Sequence, residues 1–110
     1  MTTLSGNAAQ SVYAITTAMT ATGNSTDIIS CPIRVLSAQA TVAGSGSVSA
    51  TVNLQASLDG QNWVTIKTFT LSGTTSATDL ALLDATFQYY RANVSAISGT
   101  SAQVSVYIKT

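Results

Sequence analysis

The chain has 110 residues with four Lys or Arg, four Asp or Glu and no His, enough for one hydrophobic core and too short for a second. The few charges cancel, which removes the long-range field that a nucleic-acid or anionic-membrane binder uses, so neither partner is expected. With no His and with Cys31 as the single cysteine, an intramolecular disulfide and the ordinary zinc and Cys-His arrangements are excluded, and Cys31 is expected to be a buried, inert thiol.

Residues 1–11 are small and polar around Leu4 and read as an N-terminal arm, loose or held by a neighbour, ahead of a single domain over 12–110. The arm has no basic region followed by an apolar run, and no segment is long enough to span a membrane, so cytosolic synthesis is expected. A weak strand over 12–20 is followed by a loop over 21–26. The β-rich run 27–36 is interrupted by Pro32, which cannot donate to a ladder and predicts a bend, bulge or edge.

From Leu36 the alternation is regular, with Leu36, Ala38, Ala40 and Val42 on one face and Ser37, Gln39 and Thr41 on the other. Gly44-Ser-Gly46 predicts the end of that strand. The next alternates most cleanly, with Val48, Ala50, Val52, Leu54, Ala56 and Leu58 inward. After an Asp-Gly turn come a strand over 63–71, a turn-rich segment over 72–77, and a run over 79–84 that reads as a helical turn or as a short strand and corner. Runs over 87–97 and 102–109 close the chain. Six to eight strands spaced by turns, without an amphipathic helix, predict an all-β, antiparallel β-sandwich.

Turn chemistry predicts the register. A three-residue loop Leu58-Asp59-Gly60 with Gly60 left-handed would place Ser57 opposite Gln61, Leu54 opposite Val64 and Val52 opposite Ile66. Phe69 and Leu71 then share the parity of Trp63, so either a bulge resets that strand or another element covers its end. A second hairpin with loop Ile97-Ser98-Gly99 would pair Val94 with Ala102, Ala92 with Val104 and Tyr90 with Val106. Asp59, Gly60 and Gly99 are thus read as turn-defining.

The same parity leaves Trp63, Tyr89, Arg91 and Tyr107 facing out, residue types enriched at interface hot spots, and these with Leu4 of the arm are the candidate protein-contact residues. A loop or the arm covering Trp63 is the alternative for the tryptophan. A cross-strand pair of Tyr89 with Tyr107 would stabilise the sheet by about 0.2–1 kcal/mol with no partner at all. A surface so poor in charge gives a free monomer little colloidal protection, which predicts an assembled, homo-oligomeric protein.

Catalytic chemistry is not legible. General acid–base work needs His or paired carboxylates, whereas Asp79 and Asp84 flank an apolar run and read as solvated turn or capping groups. The GxxxxGK phosphate loop is missing, and isolated aspartates are a poor calcium set. The expectation is a non-enzymatic protein with no catalytic residues, no cofactor and no metal.

The run SLDGQNW, followed by YYRANV and then VSVYI, resembles the second half of discoidin-like, galactose-binding-like jelly rolls, over residues 48–109. A short, Met-initiated, cysteine-poor, Ser/Thr/Ala-rich chain of this kind also resembles the small β-proteins of tailed-phage virions, especially capsid decoration or cement proteins. That resemblance implies binding to the major capsid protein or another virion protein on the outside of the lattice, often as trimers, and a virion location. The other function in view is a carbohydrate-binding or adhesion module of a phage tail or fibre, stacking a sugar on Trp63 or a tyrosine.

Overall fold

The computed structural model describes residues 2–3, 12–25, 29–30, 35–84 and 87–109. The architecture rests on two long strands. β5 (Val35–Ser57) and β8 (Tyr89–Lys109) run antiparallel to each other along nearly their whole lengths. A straight strand of 23 residues would measure about 75 Å at 3.3 Å per residue, whereas the longest dimension of the molecule is 40 Å. Both strands therefore fold over, and the two halves of each belong to opposite layers of an antiparallel β-sandwich.

A third path does the same with a short break. β6 (Val64–Gly73) lies against the second half of β5, and β7 (Ser76–Asp84) against the first half. Only residues 74–75 separate them, and the Gly44 N–H donates to the Thr75 carbonyl at 2.9 Å at the crossing. One layer is ordered β7, β5, β8, β2 (Val12–Met19). The other is ordered β6, β5, β8, with β3 (Gly23–Asn24) and β4 (Ile29–Ser30) along the far edge of β8. β1 (Thr2–Thr3) pairs parallel with β4.

Two glycines let the corner close. A Cβ on Gly44 would lie 2.7 Å from the Thr100 carbonyl oxygen, and one on Gly99 would lie 2.7 Å from that of Ser47. Such distances are clashes, so β5 and β8 can press backbone to backbone at the fold line only without side chains there. Gly99 also has φ +123°, which side-chain-bearing residues rarely adopt.

The two inner faces meet in one core. Ala38, Ala40, Val42, Val104, Val106, Ile108 and Ile15 from one layer pack with Val52, Leu54, Phe69, Leu71, Tyr90, Ala92 and Val94 from the other. The expected inward faces of 38–42, 48–56, 90–94 and 102–106 are the buried ones.

Several pairings differ from expectation. The chain does not turn back at residues 97–99: Val94 lies opposite Val52 and Gly23, and Val104 opposite Val42 and Met19. Gly99 defines a corner within one strand, not a hairpin loop. Likewise Gly44-Ser-Gly46 bends β5 without ending it, and 79–84 is strand. Leu54 stands opposite Lys67 and Val52 opposite Phe69, because the first ladder pair after the Asp-Gly turn is Ala56 with Val64 and one residue is added beyond the next pair. Ile66 is an extra residue between the Gln55–Thr65 and Leu54–Lys67 pairs, and this bulge resets the strand so that Phe69 and Leu71 turn inward. Leu58, expected inward, is 72% exposed.

Leu4, Cys31 and the predicted bend at Pro32 lie outside the described residues, as does the arm apart from Thr2–Thr3.

Candidate functional site

The turn over residues 58–63 is organised by one carboxylate and one hydroxyl. Asp59 Oδ1 accepts from the backbone N–H groups of Gln61 (2.8 Å) and Asn62 (2.9 Å) and from the Ser57 hydroxyl (2.8 Å), while Oδ2 accepts from the Asn62 side-chain amide at 2.8 Å. Ser57 Oγ in turn accepts from the N–H groups of Asp59 and Gly60. Using the carboxylate to satisfy Gln61 and Asn62 keeps those residues out of the ladder, which is why the loop is longer than three residues. The backbone hydrogen bonds of Asn62 and Gln61, then the side chains of Asn62 and Ser57, hold the Asp59 carboxyl far below the usual carboxylate range. Gly60 has φ +74°, and the Tyr89 ring lies 3.7 Å from where its Cβ would be.

This turn delivers Trp63 to the outer face of the β6–β5–β8 layer. The Arg91 guanidinium lies over the indole, 4.4 Å from its centroid, and Arg91 Nε donates to Gln55 Oε1 at 2.8 Å. Gln55 Nε2 continues to Thr65 Oγ1 at 3.3 Å. Partial burial of the guanidinium lowers its pKa, without threatening its charge at neutral pH. Trp63 is thus half-buried, covered on one side by its own chain.

A second polar row crosses the same face. Thr68 donates to Asn53 (2.9 Å), Asn53 to Asn93 (3.2 Å) and Asn93 to Asn24 (2.8 Å), tying four strands together. At the edge of β8, Ser25 acts as a one-residue strand: its N–H donates to the Ala92 carbonyl at 2.7 Å and its Oγ accepts from the Ala92 N–H at 3.1 Å. On the other side of the turn an apolar groove of about 380 Å³ is lined by Ala56, Leu58, Val64, Ile66 and Phe87.

Of the residues singled out from sequence, Trp63, Tyr89 and Arg91 gather around the turn. Tyr107 does not join them: it lies past the corner in the other layer, opposite Gln39 and Ala14. The expected Tyr89–Tyr107 pair does not form: Tyr89 lies opposite Ser57, and Arg91 opposite Gln55. Sequence reasoning missed Gln55, Asn53 and Asn93. Their outward parity was visible, but which strand each would face depended on the pairing.

Among the described residues no group of three or more Cys, His, Asp or Glu is placed to hold a metal ion, and no helix is long and apolar enough to cross a membrane.

No family model matches the chain, and no curated protein sequence matches it. Among solved structures the fold is similar to that of the PBSX exported protein XepA, with a TM-score of 0.52 at 13% identity. That likeness takes in 90% of this chain and 36% of the neighbour, so the chain spans about a third of the neighbour's length. At this identity the likeness establishes a shared all-β fold.

Proposed function

We propose that the chain is a non-enzymatic structural protein of a phage particle, of the capsid decoration or cement type, that docks through the tip formed by residues 58–63 and their neighbours. The observation that carries this is the composition of that tip. The tip carries the Trp63–Arg91 stack, already held by Gln55, on one side of the turn and exposed Leu58 and Val64 on the other. An aromatic-Arg anchor with adjoining apolar surface is the usual make-up of a protein–protein hot spot. Pre-ordering of the anchor by Gln55 lowers the entropy lost on docking.

The fold shared with the phage (PBSX) exported protein supports the setting; a fold alone carries many functions. The test is whether the protein is found on gradient-purified particles of the phage that encodes it, by mass spectrometry and immunogold labelling on the outer surface. Labelled particles support the proposal, and particles free of the protein refute it.

A second reading, a carbohydrate-binding or adhesion module, is favoured by the half-exposed Trp63 ring on the same sheet face as the amide groups of Gln55, Asn53 and Asn93, since a ring face and amide groups suit a sugar. A glycan array separates the two: saturable binding that Trp63→Ala abolishes would favour this reading, and a blank array would remove it.

A further inference from the structure

The fold leaves sheet edges, and among the described residues they are treated very differently. β6 carries the Ile66 bulge and Lys67, devices that discourage another strand from pairing. β2 has two register shifts, and Ala18 within it sits at φ +55°. β1, β3 and β4 are two residues each. β7 alone is long and regular. It makes nine consecutive pairs with β5 without a shift, has no Pro or bulge, and directs Leu80 (66% exposed) and Leu82 (75% exposed) to the solvent side of its layer.

We propose that β7 is a self-association edge, on which a second copy of this chain pairs β7 to β7 antiparallel about a two-fold axis at Ala81. The sequence of the strand is complementary to itself in that register. Leu80 falls opposite Leu82 of the second copy and Leu82 opposite its Leu80. Directly opposed residues of an antiparallel pair share a face, so the four leucines form one apolar strip on the outside of a continuous sheet.

Position 79 falls opposite position 83 of the second copy and position 84 opposite its position 78, so the register sets no two acidic positions directly opposite each other. The net charge of zero adds no long-range repulsion between copies. The Leu80 N–H donates to Asp79 Oδ1 at 2.9 Å, a local bond that a partner carbonyl can replace. A two-fold isologous contact closes after two copies and gives a dimer, not a filament. This inference stands on β7 alone and does not depend on the particle reading.

The test is analytical ultracentrifugation of the whole chain, wild type and Leu82→Lys. The expected result is a wild-type species of about twice 11.2 kDa and, for the exposed and fold-neutral Leu82→Lys, a dissociation constant raised at least tenfold with unchanged circular dichroism. In a Cys31→Ser background, Ala81→Cys should cross-link to itself under mild oxidation and Thr78→Cys should not. A wild type that stays monomeric at high micromolar concentration, or a Leu82→Lys variant that dimerises as well as wild type, overturns the proposal. Equal cross-linking of both cysteine variants overturns the register.

Discussion

Arg91 and Trp63 stack on the outer surface: the guanidinium lies 4.4 Å from the ring centroid and is anchored to Gln55 by a 2.8 Å hydrogen bond. Because Trp63 is the single tryptophan, its fluorescence reports this contact without interference. Arg91→Ala should shift the emission to longer wavelength and lower stability by about 0.5–1 kcal/mol, the usual worth of an exposed cation–π pair. Arg91→Lys should restore only part of the shift, since an ammonium lacks the planar stacking surface and the Nε donor.

Asp59 predicts a response to acid. Its folded-state pKa is depressed by the hydrogen bonds that it accepts from Asn62, Gln61 and Ser57. A depressed carboxylate contributes stability that is fully present above the unfolded value, near 3.8, and is lost as pH falls below it toward the folded value. The melting temperature of wild type should therefore drop more steeply between pH 5 and pH 2 than that of Asp59→Asn, which has no charge to neutralise. Parallel thermal melts of the two proteins across that range are the check.

The corner predicts that two small residues matter more than their size suggests. Gly99→Ala forces a Cβ against the Ser47 carbonyl at a positive φ, and should cost about 2–4 kcal/mol by clash and strain together. Gly44→Ala should do comparable damage against Thr100. Ala substitution at Gly46, where a Cβ meets nothing within 4 Å, should cost less than either, leaving only the penalty of its positive φ. Urea denaturation of the three variants gives the ranking.

The bulge at Ile66 sets which residues of β6 face the core. Phe69→Ala, at a fully buried position, should cost about 3–5 kcal/mol. Val64→Ala, mostly exposed at the tip, should stay within about 0.5 kcal/mol. Similar costs at the two positions would mean that the strand is not reset as described. Denaturation midpoints of the pair decide it.

The contrast between what could and could not be read from sequence is a contrast between faces and partners. Ala38, Val42, Val52, Leu54, Tyr90, Val94, Val104 and Val106 alternate, and alternation fixes burial wherever one face of a strand is dry. The same alternation survives both a hairpin with an odd loop and a strand that bends at a glycine. For this reason residues 97–99 read as a turn back when they are a corner, and Tyr107 was drawn toward Tyr89 when the two lie in different layers. Only the pairing of β5 with β8 over both layers, a long-range property, separates the cases. Phe69 and Leu71 broke the parity openly, and the break marked the bulge. Trp63 and Arg91 were visible as outward residues of interface type. Their stacking on each other and the role of Gln55 required the β5–β8 register.

The central claim, that the tip around Trp63 is the surface by which the protein holds a particle, is tested most directly by binding isotherms on purified particles stripped of the protein, comparing wild type with Trp63→Ala and Leu58→Asp. Each substitution should weaken binding at least tenfold while the folded domain retains its circular dichroism. Isotherms that superimpose on wild type would contradict the claim.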